Sequence, residues 1–443
     1  MSQPAPSTGV ATAPIPAAPA LASPATVPGT TPATQPAPAA APSGRAPLST
    51  PQRLQLLSGG MVGLGVLVAL AGVVTFGLLA VVLGRAEADT EQLVRVQSIQ
   101  TNLLSADATA TNAFLVGGLE PAEQRATYDE AMGTTSGLIA DAAQAQPADA
   151  AALAVLNRQV LDYQGAIEQA RANNRQGFPV GAQYLRAASA SLRSSALPVL
   201  DELVAANAER AGGRMRVGGG AVFPVVVALG LVGLVLAQLW LARRFHRRVN
   251  PGVLAATVVL VVALLASVVG LVRLADDVRG IRGGSFADVN AASGARIGAN
   301  DAKANESLTL VARGSGSAFE TAWVASAGRV EEQLGVLDDD TLRTSWTKYT
   351  GTHRQIRELD DDGRWDDAVA LATGTGAEQA NGRFAVVDAG LAEELQTSGA
   401  ETGNALAGRL PGLVTAAVLS LLAGIAVALL GRRGIATRLR EYR

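Results

Sequence analysis

Four apolar blocks, Leu57–Leu83, Val217–Leu241, Val253–Val272 and Leu410–Leu430, constrain this chain more than any other feature. Each holds about 20 or more residues without Asp, Glu, Lys or His, and a helix of ~20 apolar residues crosses a ~30 Å hydrocarbon core. One such block alone would read as a buried core helix. Four of them, in a chain with 4% aromatic residues, read as membrane spans. The first is too long and too far from Met1 for a cleaved signal peptide.

Arginine placement orients the spans. Residues 242–252 carry Arg243, Arg244, Arg247 and Arg248 and no acid, and Asn250-Pro251-Gly252 turns the chain back toward the third block. The stretch 431–443 carries Arg432, Arg433, Arg438, Arg440 and Arg443 against Glu441 alone. Between the blocks, two long segments, 84–216 and 273–409, are net acidic. Basic residues close to span ends collect in the cytosol. The expectation is a multi-pass protein of the inner membrane with both termini cytosolic and the two long segments outside. Its layout is a cytosolic tail at 1–56, spans at 57–83, 217–241, 253–272 and 410–430, outside modules at 84–216 and 273–409, and basic cytosolic segments at 242–252 and 431–443.

Residues 1–51 hold 13 of the chain's 20 prolines and no acid. A segment of this composition buries too little apolar surface to offset its ordering entropy, so it is expected to be disordered and partly polyproline II. Pro36-Ala37-Pro38 could dock an aromatic groove, although a plain spacer is the simpler reading.

The two outside segments read as one module duplicated. Asp107–Phe114 aligns with Asp301–Leu308 at an offset of 194, and Leu197–Asp201 aligns with Phe384–Asp388 at 187. The same offsets carry the first span onto the third and the second onto the fourth. Leu93, Val96, Leu103, Leu104, Ala110 and Phe114 recur at helical spacing, and breakers at 117–121, 146–147 and 173–179 divide the first segment into helices near 84–116, 122–145, 148–173 and 179–216. Breaks at Arg313–Gly316, Leu337–Asp340 and Asp360–Gly363 divide the second likewise. The fold class expected is an all-α membrane protein with four transmembrane helices and two tandem extracytoplasmic up-down four-helix bundles. The first and third breaks of each bundle should meet at its membrane-distal tip.

This arrangement resembles chemoreceptor-type four-helix-bundle sensor modules, most visibly over Ala108–Gly118 with Glu120-Pro121 and Tyr128. The duplicated four-span layout, Ala304–Gly314 and the ending Arg438–Arg443 resemble the GlnX-type membrane proteins of actinobacteria over residues 55–443. That resemblance implies a relay from an extracytoplasmic amino-acid-binding lipoprotein to a cytosolic Ser/Thr protein kinase. An outside partner would then meet Glu120, Asn173, Asn174, Arg175, Arg313, Asp360, Asp361, Asp362, Arg364 and Trp365. A cytosolic effector would meet Arg243, Arg244, Arg247, Arg248, Arg438 and Arg440. A homodimer is left open, and nucleic acid is not an expected partner.

No enzymatic chemistry or cofactor is expected. The chain has no cysteine, no phosphate loop followed by Lys and no histidine-rich spacing. Asp360-Asp361-Asp362-Gly363 hints at a calcium loop, but Val369 stands where a bidentate Glu is needed. The aspartates read instead as a solvated turn and the N-cap of a helix from Trp365, and Asp338–Asp340 read as a second cap. His246 and His353 read as surface residues. The spans lack ionisable groups at depth, which disfavours transport. Gly218, Gly219 and Gly220, where bundle meets span, suggest a hinge. The rival readings are a cell-envelope scaffold and a transporter accessory subunit.

Overall fold

A computed structural model describes residues 50–439 except 117–119, 177–179, 217, 219 and 246–249, with the backbone alone at Thr50, Pro51, Arg244, Phe245, Arg438 and Leu439. The proline-rich tail up to residue 49, Gly117, Gly118, Phe178, Gly219, His246, Arg247, Arg248 and Arg440 therefore lie outside the described residues, as do the side chains of Arg244 and Arg438. Among the described residues every regular element is helical, and four helices are long and apolar enough to cross a membrane.

Helix α1 (Thr50–Val116) runs unbroken for 67 residues, about 100 Å at 1.5 Å per residue. Nothing between Leu83 and Val116 stops it: Gly84 is the single breaker-type residue there, and one glycine costs only ~1 kcal/mol against alanine. One helix thus serves as first span and as first bundle helix. The membrane layer is completed by α6 (Val222–Phe245), α7 (Pro251–Gly283) and α13 (Leu410–Leu439). Met61, Val68, Phe76, Val227, Leu234, Leu260 and Val427 face inward and are buried, while Leu70, Leu78, Leu229, Val262, Leu265 and Leu419 point outward and are exposed. An outward apolar surface on all four helices is what a lipid environment requires.

The tightest span contact is α1 on α13. A Cβ added at Gly65 would lie 2.4 Å from the Gly424 carbonyl oxygen, and one at Gly424 would lie 2.4 Å from that of Gly65. Seven residues on, Gly72 takes Ser420 and Gly431 takes Met61 in the same manner. Small residues let two backbones approach where lipid offers no hydrophobic drive to pair helices.

The first bundle comprises the outer half of α1, then α2 (Ala122–Ala145), α3 (Ala150–Arg175), and α4 (Val180–Ser191) joined to α5 (Leu197–Arg214) by a π-helical turn, Leu192–Ala196. Its core includes Ile99, Leu103, Tyr128, Leu156, Tyr163 and Leu185. The second comprises α8 (Ser285–Val311), α9 (Ser317–Leu337), α10 (Asp340–Asp361), α11 (Trp365–Thr373) and α12 (Ala380–Ala407), around Val330, Trp346, Tyr349, Ile356, Val387 and Leu391.

Several sequence expectations need correction. The second span begins as helix only at Val222, because α5 ends at Arg214 and the glycine-rich stretch that follows has little cause to stay helical. The fourth helix of the second bundle is two pieces, since Gly374 and the turn after it interrupt α11 and α12. The backbone folds back there until a Cβ at Gly382 would lie 2.1 Å from the Gly376 oxygen. Asp339 does cap α10, accepting from the Thr341 and Leu342 amides at 2.7 and 3.0 Å. Asp362, however, ends α10, where left-handed Gly363 (φ +77°) reverses the chain, and α11 starts without a side-chain cap.

Candidate signal-relay site

The two bundles meet where α1 packs along α8, and the seam between them is polar. Gln97 donates to Asn290 at 3.4 Å, and Asn112 donates to Ser307 at 3.5 Å while accepting from Asn381 at 3.0 Å. Every residue of α8 from Gly298 to Leu310 is buried, because α1, α9 and α12 enclose it. Asp301, Lys303 and Glu306 are therefore withdrawn from water and each must be answered inside the protein.

At the centre stands Arg193, on the π turn. Its guanidinium bonds Asp107 of α1 at 2.7 Å and Asp301 of α8 at 2.9 Å, so one cation ties the two bundles. Asp107 is fully buried and also accepts from the Ser189 hydroxyl at 2.6 Å and the Tyr163 hydroxyl at 3.1 Å. Asp301 accepts in addition from Ser326 at 2.5 Å and Arg329 at 3.3 Å. Burial works to lower the Arg193 pKa, and the flanking carboxylates override it and raise it. Burial, with Asp107 beside it, pushes the Tyr163 pKa up. Such π turns interrupt α-helices frequently at functional sites. The residues aligned in sequence, Asp107 with Asp301 and Asp201 with Asp388, play matching parts. Asp201 accepts from Gln100 on α1 at 2.7 Å, and Asp388 accepts from Arg296 on α8 at 2.8 and 3.0 Å.

A second cluster lies beside it in the second bundle. Glu306, fully buried, accepts from Lys303 at 2.6 Å and Tyr349 at 3.2 Å, and its other close partner is His353 Nδ1 at 3.0 Å. His353 Nε2 lies 3.3 Å from Glu320, which Arg357 also approaches at 3.5 Å. The surface reading of His353 is thus overturned: the residue is 1% exposed. Leu342, Trp346, Tyr349, His353 and Ile356 recur at four and three along α10, so His353 occupies a core position. Burial works to lower its pKa and the bonds to Glu306 and Glu320 raise it. Burial works to raise that of Glu306, and the Lys303 charge with the His353 bond brings it down to about 2.

At the first tip, Glu120 pairs with buried Arg171 at 2.7 Å, and both line a small pocket with Asn174, Arg175 and Arg125. Arg171 also lies over the Tyr128 ring at 4.0 Å. Asn173 donates to the Gln169 carbonyl. At the second tip the Arg313 guanidinium, held by a left-handed backbone (φ 42°), stacks 3.9 Å over the Trp365 ring. The Trp365 indole N–H closes the end of α8 by donating to the Leu310 carbonyl at 3.0 Å. Asp360 and Asp361 each take Arg357 at 2.6 Å, and Arg364 takes Asp367 at 2.7 Å. The structure thus brings Glu120 to Asn174 and Arg175, and Arg313 to Trp365. It leaves Asp361, Asp362 and Arg364 exposed.

On the other side of the membrane layer, Arg243 is exposed at the end of α6. Asn250 caps α7, accepting from Gly252 and Val253, and donates to the Gly434 carbonyl of α13 at 2.9 Å. Of the glycines read as a hinge, Gly218 and Gly220 lie in the break between α5 and α6. Arg193 and the Lys303–Glu306–His353 cluster are what the sequence reading missed. Lys303 and Glu306, three apart in an alanine-rich run, were the available signal.

No curated protein and no solved structure matches the chain. Residues 82–216, the stretch from the end of the first span to the end of the first bundle, match the family described as Sensor_actino, the actinobacterial sensor domain, which supports an actinobacterial sensor protein with a sensing or signalling role.

Proposed function

We propose that the protein is a non-enzymatic transmembrane transducer built from two duplicated sensor modules. An extracytoplasmic amino-acid-binding lipoprotein docks on the two tips. The relative position of the bundles changes in response, and a cytosolic Ser/Thr protein kinase reads the change at the basic segments around Arg243 and the end of α13. This reading puts both termini in the cytosol and the bundles outside, in keeping with the arginine placement.

The observation that carries it is the ion pairing of Arg193 with both Asp107 and Asp301. A passive stalk is served by an apolar seam, whereas charged groups at a buried contact add little net stability and are best attested as registry devices. Paired carboxylates around one arginine allow a few alternative registers, and a shift of one to two ångströms is the ordinary scale of such relays.

The test is co-purification of the full chain in mild detergent, with and without added amino acids. Recovery of an outside binding protein and an inside kinase, in amounts that depend on the amino acid, is the expected result. Charge reversal at Asp360, Asp361 and Asp362 should abolish recovery of the outside partner. Partners recovered equally with and without ligand would favour a scaffold instead.

A further inference from the structure

A cavity of about 740 Å³ lies in the membrane layer between α7 and α13. Two ties bound it. At one end α7 and α13 touch through glycine, a Cβ at Gly252 falling 2.6 Å from the Gly434 Cα. At the bundle end Arg409 reaches across to Asp277 at 2.8 Å. Between these ties both helices line the cavity, and its floor is the edge-to-face pair of Phe76 from α1 and Phe223 from α6, centroids 5.4 Å apart.

The chemistry of the lining selects the guest. Ser267, Thr415 and Ser420 contribute hydroxyls, but each donates to a carbonyl of its own helix, at 2.9, 2.8 and 2.7 Å. The interior therefore offers a guest almost nothing but hydrocarbon. Charge appears only at the bundle end, in Arg273, Asp277 and Arg409. Asp277 neutralises Arg409, and Asp276 is taken by Arg279 at 2.6 Å. Arg273 is exposed, takes no acidic partner among the described residues, and leaves this rim with a net positive charge. From Arg273 to Val258 along α7 is about 22 Å at 1.5 Å per residue. That exceeds the ~15 Å of one leaflet's hydrocarbon.

We propose that this cavity is a binding site for a single anionic phospholipid from the bundle-side leaflet. One acyl chain lies between α7 and α13, and the phosphate rests on Arg273 with Arg409 beside it. The site does not depend on the sensing role. It has a consequence for it, because both walls lead to the second bundle: α7 continues to Gly283, and α13 follows α12 after a short break at Gly408–Arg409. An occupied cavity holds these two helices apart.

Two positions make the test clean. A Cβ at Gly270 or at Gly412, both in the lining, meets nothing within 4 Å, so leucine at either obstructs the cavity without a backbone clash. Full-length protein in detergent is titrated with phosphatidylglycerol and, separately, with phosphatidylcholine, and retained lipid is counted by native mass spectrometry. The wild type should hold one phosphatidylglycerol in preference to phosphatidylcholine. Gly270→Leu and Gly412→Leu should each lose that lipid while keeping the wild-type helical signal and melting temperature. Arg273→Gln should lower the preference for the anionic headgroup about fivefold, the effect of removing one near-surface cation. Equal retention of both lipids by the wild type would overturn the proposal. So would unchanged retention in both leucine variants, or a dimer that forms through this face and excludes lipid.

Discussion

The Trp323 indole lies flat on the His353 imidazole, ring centroids 3.6 Å apart and planes 7° from parallel. A protonated imidazole in that position is a cation on an aromatic face, between Glu306 and Glu320 and with Lys303, Tyr349 and Arg357 around them. A histidine whose pKa is raised by the fold contributes stability that is complete below its ordinary value of 6.5 and is lost as pH rises through the folded value. Glu306, lowered to about 2 from 4.5, contributes stability that is complete above its ordinary value of 4.5 and is lost progressively as pH falls from there through about 2. The second bundle should therefore be most stable near pH 5–6, and its melting temperature should fall as pH is raised to 9. Three of the four tryptophans, Trp323, Trp346 and Trp365, report on it by fluorescence. His353→Gln should flatten the alkaline slope. A wild-type profile already flat from pH 6 to 9 would refute the assignment of a charged His353.

How far the sequence reading reached depends on the range of the interaction involved. The spans were legible because crossing a bilayer demands a run of apolar residues, and α2 falls at 122–145 because Pro121 and the Gln146-Pro147 pair bound it. Pairing across helices was not legible. Nothing local shows that Arg193 on the fourth bundle helix reaches Asp301 on another bundle, 108 residues on. Tip residues grouped where breaks met, as Arg313 and Trp365 do, because an up-down topology alone puts those breaks at one end. His353 failed for a narrower reason: its polarity outweighed its position in the apolar repeat of α10.

Arg193→Met would strand the Asp107 carboxylate in the core with two hydroxyls for company. Removing one partner of a buried pair costs about 3–5 kcal/mol, which for a domain of this size is roughly 10 °C in melting temperature. In Asp301→Asn the Arg193 guanidinium keeps Asp107, and the amide oxygen at 301 can still accept from Ser326 or Arg329, so this change should cost clearly less than Arg193→Met. Adding Asp107→Asn to Arg193→Met should restore part of the loss. Thermal unfolding followed by circular dichroism checks the order, and Asp301→Asn proving the more damaging would contradict the arrangement.

Gly65→Ala and Gly424→Ala should each loosen the α1–α13 contact, since the new methyl would meet backbone rather than a side chain able to rotate. Overpacking of this kind costs about 1–3 kcal/mol. Gly63→Ala and Gly77→Ala, where a Cβ meets nothing within 4 Å, should be neutral and serve as controls. Melting in detergent separates the two pairs, and four indistinguishable variants would show that small residues do not set this interface.

The break between α5 and α6 distinguishes the second span from the first. Helix α1 passes from span to bundle without interruption, whereas α5 ends at Arg214 and α6 starts only at Val222. A Cβ at Gly218 has open space, and one at Gly220 comes 3.1 Å from the Leu271 Cδ2, the end of a side chain that can rotate away. Gly218→Ala with Gly220→Ala should therefore fold normally. Each change favours helix by about 0.5–1 kcal/mol, enough to bias the break toward a continuous rod from α5 into α6. Because the chain has no cysteine, a single engineered pair between the Arg243 end of α6 and the Asn250 end of α7 reports their separation without background. In the wild type, cross-linking of that pair should change with ligand-loaded partner. In the double variant it should not, while partner binding at the tips is retained. A response equal to wild type in the stiffened protein would remove the hinge from the relay.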